Sequence, residues 1–324
     1  MKVLCSQRFV SSHIHGEQTS RANDRVRALP SLGIELRPKL SPVNYGFRTT
    51  QIVVEDKIPK NIFFMIVDSI HNEVNRKRFT NLSYEARQLR KNLRRLTLDD
   101  AAIWELEKKT PVSAPWAVMT LYLGICNILD AIYTGQPIQR FWFLETIARM
   151  PYFSYVAVYH LYETLGFWSL DSEVKRLHVA EETNECYHLM IMESLGGGRR
   201  WRDRFLARHI GMSYFVLLVI LFLLAPKLAY KCSELLESHA VNTYEQFLIE
   251  NEELLKTIPP PKCSYEHFTI PNAQRNMYEE KVRNDYITPY NLYDVFVNIR
   301  DDEQAHTQVM SMLQNLSESP EVEH

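Results

Sequence analysis

Two Glu-x-x-His pairs, Glu185/His188 and Glu303/His306, lie inside stretches whose apolar residues recur at helical spacing. Each pair puts a carboxylate and an imidazole on one helix face, about one turn apart, where both can grip the same ion. This feature constrains the fold more than any other, because side chains that share a buried ion must come from helices packed side by side. Spacing alone is weak evidence: about one such match is expected by chance in this chain, and there are three. The third, Glu321/His324, follows Pro320 in a polar tail and is accidental. Context separates the other two. In HVAEETNECYHLMIMESLGG, Leu189, Ile191 and Met192 mark an apolar face, and Gly196 to Gly198 supply a helix stop. NIRDDEQAHTQVM follows the apolar-periodic LYDVFVNI.

A dinuclear carboxylate site in a four-helix bundle takes one such pair from each of two helices and a lone Glu from each of the other two. Glu145 in RFWFLETIARMPYF and Glu237 in CSELLESHAVNTYEQF are the candidates. Either one alone reads more readily as a satisfied core glutamate or an exposed helix position. Taken jointly with the two pairs they complete the recipe, and successive glutamates are 40, 52 and 66 residues apart, room for a helix and a return each time. Carboxylates and imidazoles suit iron, and carboxylates can bridge two metals while leaving positions open for dioxygen. Two irons supply two electrons at once, so four-electron reduction of oxygen needs a further donor. Tyr244, two turns beyond Glu237 on the same face, is a candidate, although tyrosine is common here.

Composition bounds the rest. An apolar content of 46% in 324 residues is ample for a packed core. Ten glycines and few alternating Val/Ile runs in the second half lean towards helix. A net charge of -2 gives no basis for a nucleic-acid partner. Five dispersed cysteines without a CxxC pair suggest neither a zinc knuckle nor a disulfide framework.

Along the chain, residues 1–30 are basic and Ser/Thr-containing, the composition of an organellar transit peptide or of a disordered tail. Residues 31–110, with the basic run RQLRKNLRR, form a partly helical, poorly specified lead-in. From residue 111 to 318 long apolar stretches alternate with short charged junctions, and 319–324 is a polar tail. Residues 110–129 carry no charge but are diluted by polar residues. GMSYFVLLVILFLLAP, residues 211–226, is uncharged and flanked by Arg199, Arg200, Arg202, Arg204 and Arg208 on one side and Lys227 and Lys231 on the other. It is short of the roughly 20 residues of a crossing helix. Basic flanks fit a helix lying in the headgroup region; a buried core helix is the alternative. Pro259, Pro260 and Pro261 interrupt the chain, the segment to Pro289 reads as a loop or loose insertion, and helical periodicity resumes at Asn291.

LETIARMPYF, NECYHL, LESHAVNTYEQF and NLYDVFVNIRDDEQAH, in this order, resemble the alternative oxidase family, and within it the plastid branch. The resemblance covers about residues 111–316. It implies an all-α, ferritin-like four-helix bundle with a di-iron carboxylate site and additional membrane-surface helices. It further implies a non-haem di-iron quinol oxidase, bound to one membrane leaflet, that passes electrons from plastoquinol to dioxygen and yields water without pumping protons. Position by position, the resemblance makes Glu145, Glu185, His188, Glu237, Glu303 and His306 the ligands of two iron ions, and Tyr244 the redox tyrosine. Arg140, Leu144, His239 and Thr243 fall where the family lines its quinol pocket, although Arg140 could equally be a headgroup anchor. Asn184 and Asp302 fall at hydrogen-bonding neighbours of the ligands. Asp301 keeps the ordinary reading of a solvated helix-surface charge. Ser238 and His239, which stand where mitochondrial members have glutamates, and the long Glu237–Glu303 connection place the chain in the plastid branch. Cys186 and Tyr187 depart from the family's more usual Met and His. A thylakoid location and a homodimer follow from the same resemblance. The rivals are a soluble di-iron acyl desaturase or hydroxylase, and a non-catalytic helical protein of the membrane surface.

Overall fold

In the computed structural model, residues 41–42, 84–109, 111–166, 173–270, 278 and 282–316 are described. The expectations for residues 1–30, for the lead-in from 43 to 83 and for the tail from 319 lie outside them. Every regular element is a helix, with no strand among the described residues. Among the described residues nine α-helices follow one another: α1 (Tyr84–Leu93), α2 (Asp100–Lys109), α3 (Trp116–Tyr133), α4 (Pro137–Thr164), α5 (Glu173–Ser194), α6 (Trp201–Leu224), α7 (Pro226–Leu255), α8 (Lys262–Thr269) and α9 (Leu292–Leu316). The lead-in is thus helical over α1 and α2. The segment after the three prolines, expected to be a loop, contains α8, because a run of Pro ends one helix yet Pro261 can stand just before the next.

Helix α9 lies along α7, α4 lies along both α5 and α6, and α6 and α4 also touch α7. The reason is visible in α9, whose Leu292, Val295, Phe296, Ile299, Val309, Met310 and Leu313 are buried at three- and four-residue spacing. Asp302, Glu303 and His306 occupy the same stripe. On α5 the inward stripe is even more polar: His178, Glu181, Asn184, Glu185 and His188 are buried with Ile191 and Met192. The burial of the apolar members carries the polar ones into the core.

Local signals fix where the helices begin and end. Asn291 Oδ1 accepts the Asp294 backbone N–H at 3.0 Å, while Asp294 Oδ2 accepts that of Tyr290 at 3.0 Å, a reciprocal cap at the start of α9. Gly196 closes α5 with φ of 88°, a conformation that side chains other than Gly rarely adopt. Gly197 lets that turn sit directly on α4, since a Cβ there would come within 2.3 Å of Trp142 Cβ.

Helix α6 extends the expected uncharged stretch back to Trp201. Gly211, Tyr214, Leu218 and Phe222 face the bundle, whereas Met212, Val216, Ile220 and Leu224 are exposed. Its most apolar window is 28% buried, as is that of α3, which does not fit a core helix. Both helices are long and apolar enough to cross a membrane by length and composition.

Candidate metal centre

Glu145 projects from α4, Glu185 and His188 from α5, Glu237 from α7, and Glu303 and His306 from α9; none is more than 3% exposed. They form two groups whose ligand-type atoms lie within 4.8 Å of one another: Glu145, Glu185, His188 and Glu303, and Glu185, Glu237, Glu303 and His306. Glu185 and Glu303 belong to both. That sharing is the pattern needed by two neighbouring ions bridged by carboxylates.

The donor atoms converge without satisfying one another. His306 Nδ1 is 2.8 Å from Glu185 Oε1, and His188 Nδ1 is 3.2 Å from Glu303 Oε1 and 3.6 Å from Glu145 Oε2. Yet Glu145 Oε2, both carboxylate oxygens of Glu185 and Glu303, and Nδ1 of both histidines lack an aligned hydrogen-bond partner among the described residues. A buried polar atom left this way costs about 1–3 kcal/mol, and more if charged. Cations that accept these lone pairs would remove the penalty, so the donor set fits a metal.

Electrostatics point the same way. Burial and the charge of Glu185 push the Glu145 and Glu237 carboxyls each up to about 7, and the same two causes raise Glu303 well above the usual range. Glu185 itself feels the same burial, but His188 and His306 outweigh it and hold the carboxyl below its ordinary value. Burial disfavours charge on the imidazoles, but hydrogen bonding and charge from Glu185 lift His306 to about 9. Protons therefore stand in for cations in this cluster.

Neighbouring side chains orient the donors. His188 Nε2 donates to Asp302 Oδ2 at 3.1 Å, which turns Nδ1 towards the cluster, and Asn184 Nδ2 donates to the same oxygen at 3.2 Å. Burial pushes the Asp302 carboxyl up, but His188 and Arg283 hold it down at about 2. The Tyr244 hydroxyl donates to Glu145 Oε1, and its ring stacks on Phe141 with centroids 4.3 Å apart. Tyr152 donates to Glu237 Oε1 at 3.0 Å. Asp301 pairs with Arg300 and Arg283 at the helix surface.

An apolar cavity reaches the cluster. Ile125, Leu129, Leu144, Leu236 and Ala240 line it, with Glu145, Glu237, Tyr244 and Glu303 at one wall and His239 also bordering it. Of the four residues expected at a substrate pocket, Leu144 and His239 line this cavity, whereas Arg140 and Thr243 do not. The Thr243 hydroxyl donates to the His239 carbonyl at 2.7 Å. Arg140 is 1% exposed and paired with Asp100 at 2.5 Å and Asp130 at 2.8 Å, so the headgroup-anchor alternative is excluded. Its Nη2 lies 3.2 Å from His239 Nε2, and His239 Nδ1 faces Glu107.

Sequence reasoning missed Asp100, Glu107, Asp130, Tyr152 and Arg283. Tyr152 shares a helix face with Glu145 at seven-residue spacing, a signal that was present. Arg283 lies outside any described helix, and nothing local marks it.

Four buried carboxylates and two imidazoles, brought together by four packed helices, define the class of helical carboxylate–histidine metal proteins. Residues 113–315 match the alternative oxidase family, and the chain belongs to it. It is 43% identical over 207 residues to ubiquinol oxidase 4, chloroplastic/chromoplastic, of Arabidopsis thaliana, covering 60% of this chain and 56% of that protein. The mitochondrial alternative oxidase of Scheffersomyces stipitis is 30% identical over 185 residues, 57% of this chain and 48% of that one. Ubiquinol oxidase 2, mitochondrial, of Glycine max is 28% identical over 167 residues, 51% and 45% respectively. The chain thus spans about half the length of these relatives.

Proposed function

We propose that this protein is a quinol:oxygen oxidoreductase that takes electrons from plastoquinol and delivers them to dioxygen, giving quinone and water without proton pumping. Glu145, Glu185, His188, Glu237, Glu303 and His306 would hold two iron ions, with Glu185 and Glu303 shared. The observation that carries the reading is that Glu145, Glu237 and Glu303, drawn from both overlapping donor groups, line an apolar cavity of the kind a quinol ring and its tail would enter. Bound there, two irons would supply the paired electron transfers that dioxygen reduction requires.

The chain's own residues account for the rest. Leu144 and its apolar neighbours exclude water and hold the ring. His239, held by Arg140 on one nitrogen and Glu107 on the other, borders the cavity, and a quinol hydroxyl would bond it by replacing one of these partners. Arg140 acts by positioning the His239 ring, while Thr243 bonds the His239 backbone carbonyl one turn back. Tyr244, whose hydroxyl bonds Glu145, would donate an electron and a proton to bound iron.

The exposed apolar faces of α3 and α6 support attachment to one leaflet, the basic residues around α6 reaching the headgroups. The 43% identical relative carries a plastid designation, which supports a plastid location, and the thylakoid membrane is the surface proposed within it. Exposed Phe153 and Leu161 on α4 and Val179 and Met190 on α5 leave apolar surface for a second copy in a homodimer.

Metal analysis together with quinol-dependent oxygen uptake, comparing plastoquinol and ubiquinol analogues, tests the reading. Purified protein should hold iron and consume oxygen, and Glu185→Ala should lose both properties. Iron-free protein, or uptake that survives Glu185→Ala, would overturn it. An acyl desaturase or hydroxylase would instead yield a modified acyl chain, and a non-catalytic surface protein neither metal nor turnover.

A further inference from the structure

We propose that Tyr230 is a second redox-active tyrosine, poised by the buried His178–Glu181 pair to surrender an electron towards the metal centre when quinol is absent. The inference rests on the oxidase reading above, which supplies the oxidant: dioxygen reacting at a reduced centre.

His178 and Glu181 are both 0% exposed on the inward stripe of α5, yet neither belongs to the donor groups of the metal centre. His178 Nδ1 is 2.8 Å from Glu181 Oε2, and its Nε2 is 3.0 Å from the Tyr230 hydroxyl. With Nδ1–H donated to the carboxylate, Nε2 is left as an acceptor for the phenolic proton. Tyr159 completes the chain, its hydroxyl 2.9 Å from that of Tyr230, at donating distance of the phenolic oxygen. Phenol, imidazole and carboxylate thus form one connected line from α7 to α5.

Aromatic rings join this line to the metal centre and to the outside. The Tyr152 ring lies 5.6 Å from that of His306 and 6.1 Å from that of His178, and its hydroxyl holds Glu237. Tyr230 lies 5.7 Å from His178 and 4.8 Å from Tyr155. Outward, Tyr159 is 6.5 Å from Tyr162, which is half-buried. Packing alone does not account for the hydroxyls. Phe222 sits in the same cluster, against Tyr155 and Tyr230, and fills its place with a bare ring. Each buried hydroxyl adds a desolvation cost that a Phe would avoid, and those of Tyr159 and Tyr230 are spent on partners in this line.

The step balances within the chain. Tyr230 loses one electron, through Tyr152, to the oxidised centre, and its O–H bond breaks as the proton moves to His178 Nε2. The products are a neutral phenoxyl radical on Tyr230 and an imidazolium paired with Glu181. A one-electron reductant from solution, of the thiol or ascorbate class, refills the site through Tyr162 and Tyr159, and the proton returns from His178. The route is separate from Tyr244, whose hydroxyl bonds Glu145 and whose ring stacks on Phe141. It protects the centre when oxygen arrives without enough quinol.

Rapid-freeze electron paramagnetic resonance of reduced, iron-loaded protein mixed with oxygen in the absence of quinol tests this. Wild type should give a tyrosyl signal with a component that persists in Tyr244→Phe and is lost in Tyr230→Phe. His178→Gln, which keeps the phenol but removes the imidazole acceptor, should lose the same component. Tyr159→Phe, which leaves the Tyr230–His178 pair intact, should keep it and slow its decay. Iron content and circular dichroism of each variant identify any loss that comes from misfolding, and the His178→Gln and Tyr159→Phe pair decides the matter if Tyr230→Phe does not fold. A signal unchanged in both Tyr230→Phe and His178→Gln, from a wild type that is active with quinol, overturns the proposal and leaves the oxidase reading standing. A wild type that consumes no oxygen with quinol overturns both together.

Discussion

Asp302 turns Oδ2 towards His188, accepting its Nε2–H at 3.1 Å, so that the other ring nitrogen of His188 faces the glutamate cluster. Behind it, Arg283 donates Nη1–H to Asp302 Oδ1 at 2.8 Å and to the Asn298 carbonyl at 2.6 Å. A guanidinium, a carboxylate and an imidazole thus transmit the position of a segment outside the bundle to a donor inside it. Such outer partners orient a ligand and raise its basicity.

Arg283→Gln should therefore weaken metal retention by roughly 10–100-fold without removing a donor. Iron remaining after titration with a chelator measures it. Unchanged retention would show that Asp302 holds His188 unaided.

In metal-free protein, Glu145, Glu237 and His306 all have folded values above their unfolded ones, at about 7, about 7 and about 9. A raised group contributes stability that is fully present below its unfolded value and is lost as pH rises through the folded one. The metal-free fold should lose stability from about pH 5 to about pH 9, while loading with metal releases protons and flattens the decline. Asp302, depressed to about 2, contributes across that whole window and does not offset the trend. Melting of chelator-treated and iron-loaded protein across this range checks the sign, and a metal-free melting temperature that rises with pH would contradict it.

Gly197→Ala should destabilise the fold by about 1–3 kcal/mol, because overpacking forces a shift where the turn after α5 meets Trp142. Gly124→Ala is the control: a Cβ at Gly124 meets nothing within 4 Å. Denaturant unfolding of the two variants should separate them.

Charges on the outer face of α6 should detach the protein from lipid while sparing the fold. Val216 and Ile220 are 49% and 51% exposed, so replacing both with Glu removes apolar contact with a bilayer and leaves the packed face intact. Flotation with anionic vesicles, alongside circular dichroism, reads the two effects apart. Equal flotation of variant and wild type would argue against this face as the attachment surface.

His239→Ala should raise KM for quinol more than it lowers kcat, because the imidazole borders the cavity rather than the donor cluster. Arg140→Gln, which acts through His239, should follow the same pattern more weakly. A pure fall in kcat for His239→Ala would instead assign it to the chemistry.

The helices were legible because their signals are local. Apolar residues three and four apart mark α9 from Leu292 to Leu313, Asn291 caps it, and Gly196 ends α5. The same periodicity shows that Glu185, His188, Glu303 and His306 share the stripes of buried Leu, Ile and Phe, and a stripe must face inwards whatever its partners. Residues 259–289 were less legible, since three prolines hide the helix that starts just beyond them.

What the chain alone determined, then, is which residues would be carried into the core together. Tertiary packing decided the rest. That Glu185 and Glu303 stand in both donor groups depends on how α5 and α9 sit around the centre, and periodicity carries no information about that. Arg140 reads as a pocket residue or a headgroup anchor until α2 and α3 supply Asp100 and Asp130, and Arg283 has no role until its segment passes Asp302. Ion pairs and shared ligands join atoms far apart in sequence. Their energies depend on distances of a few ångströms and on exclusion of water, which exist only once the helices have packed.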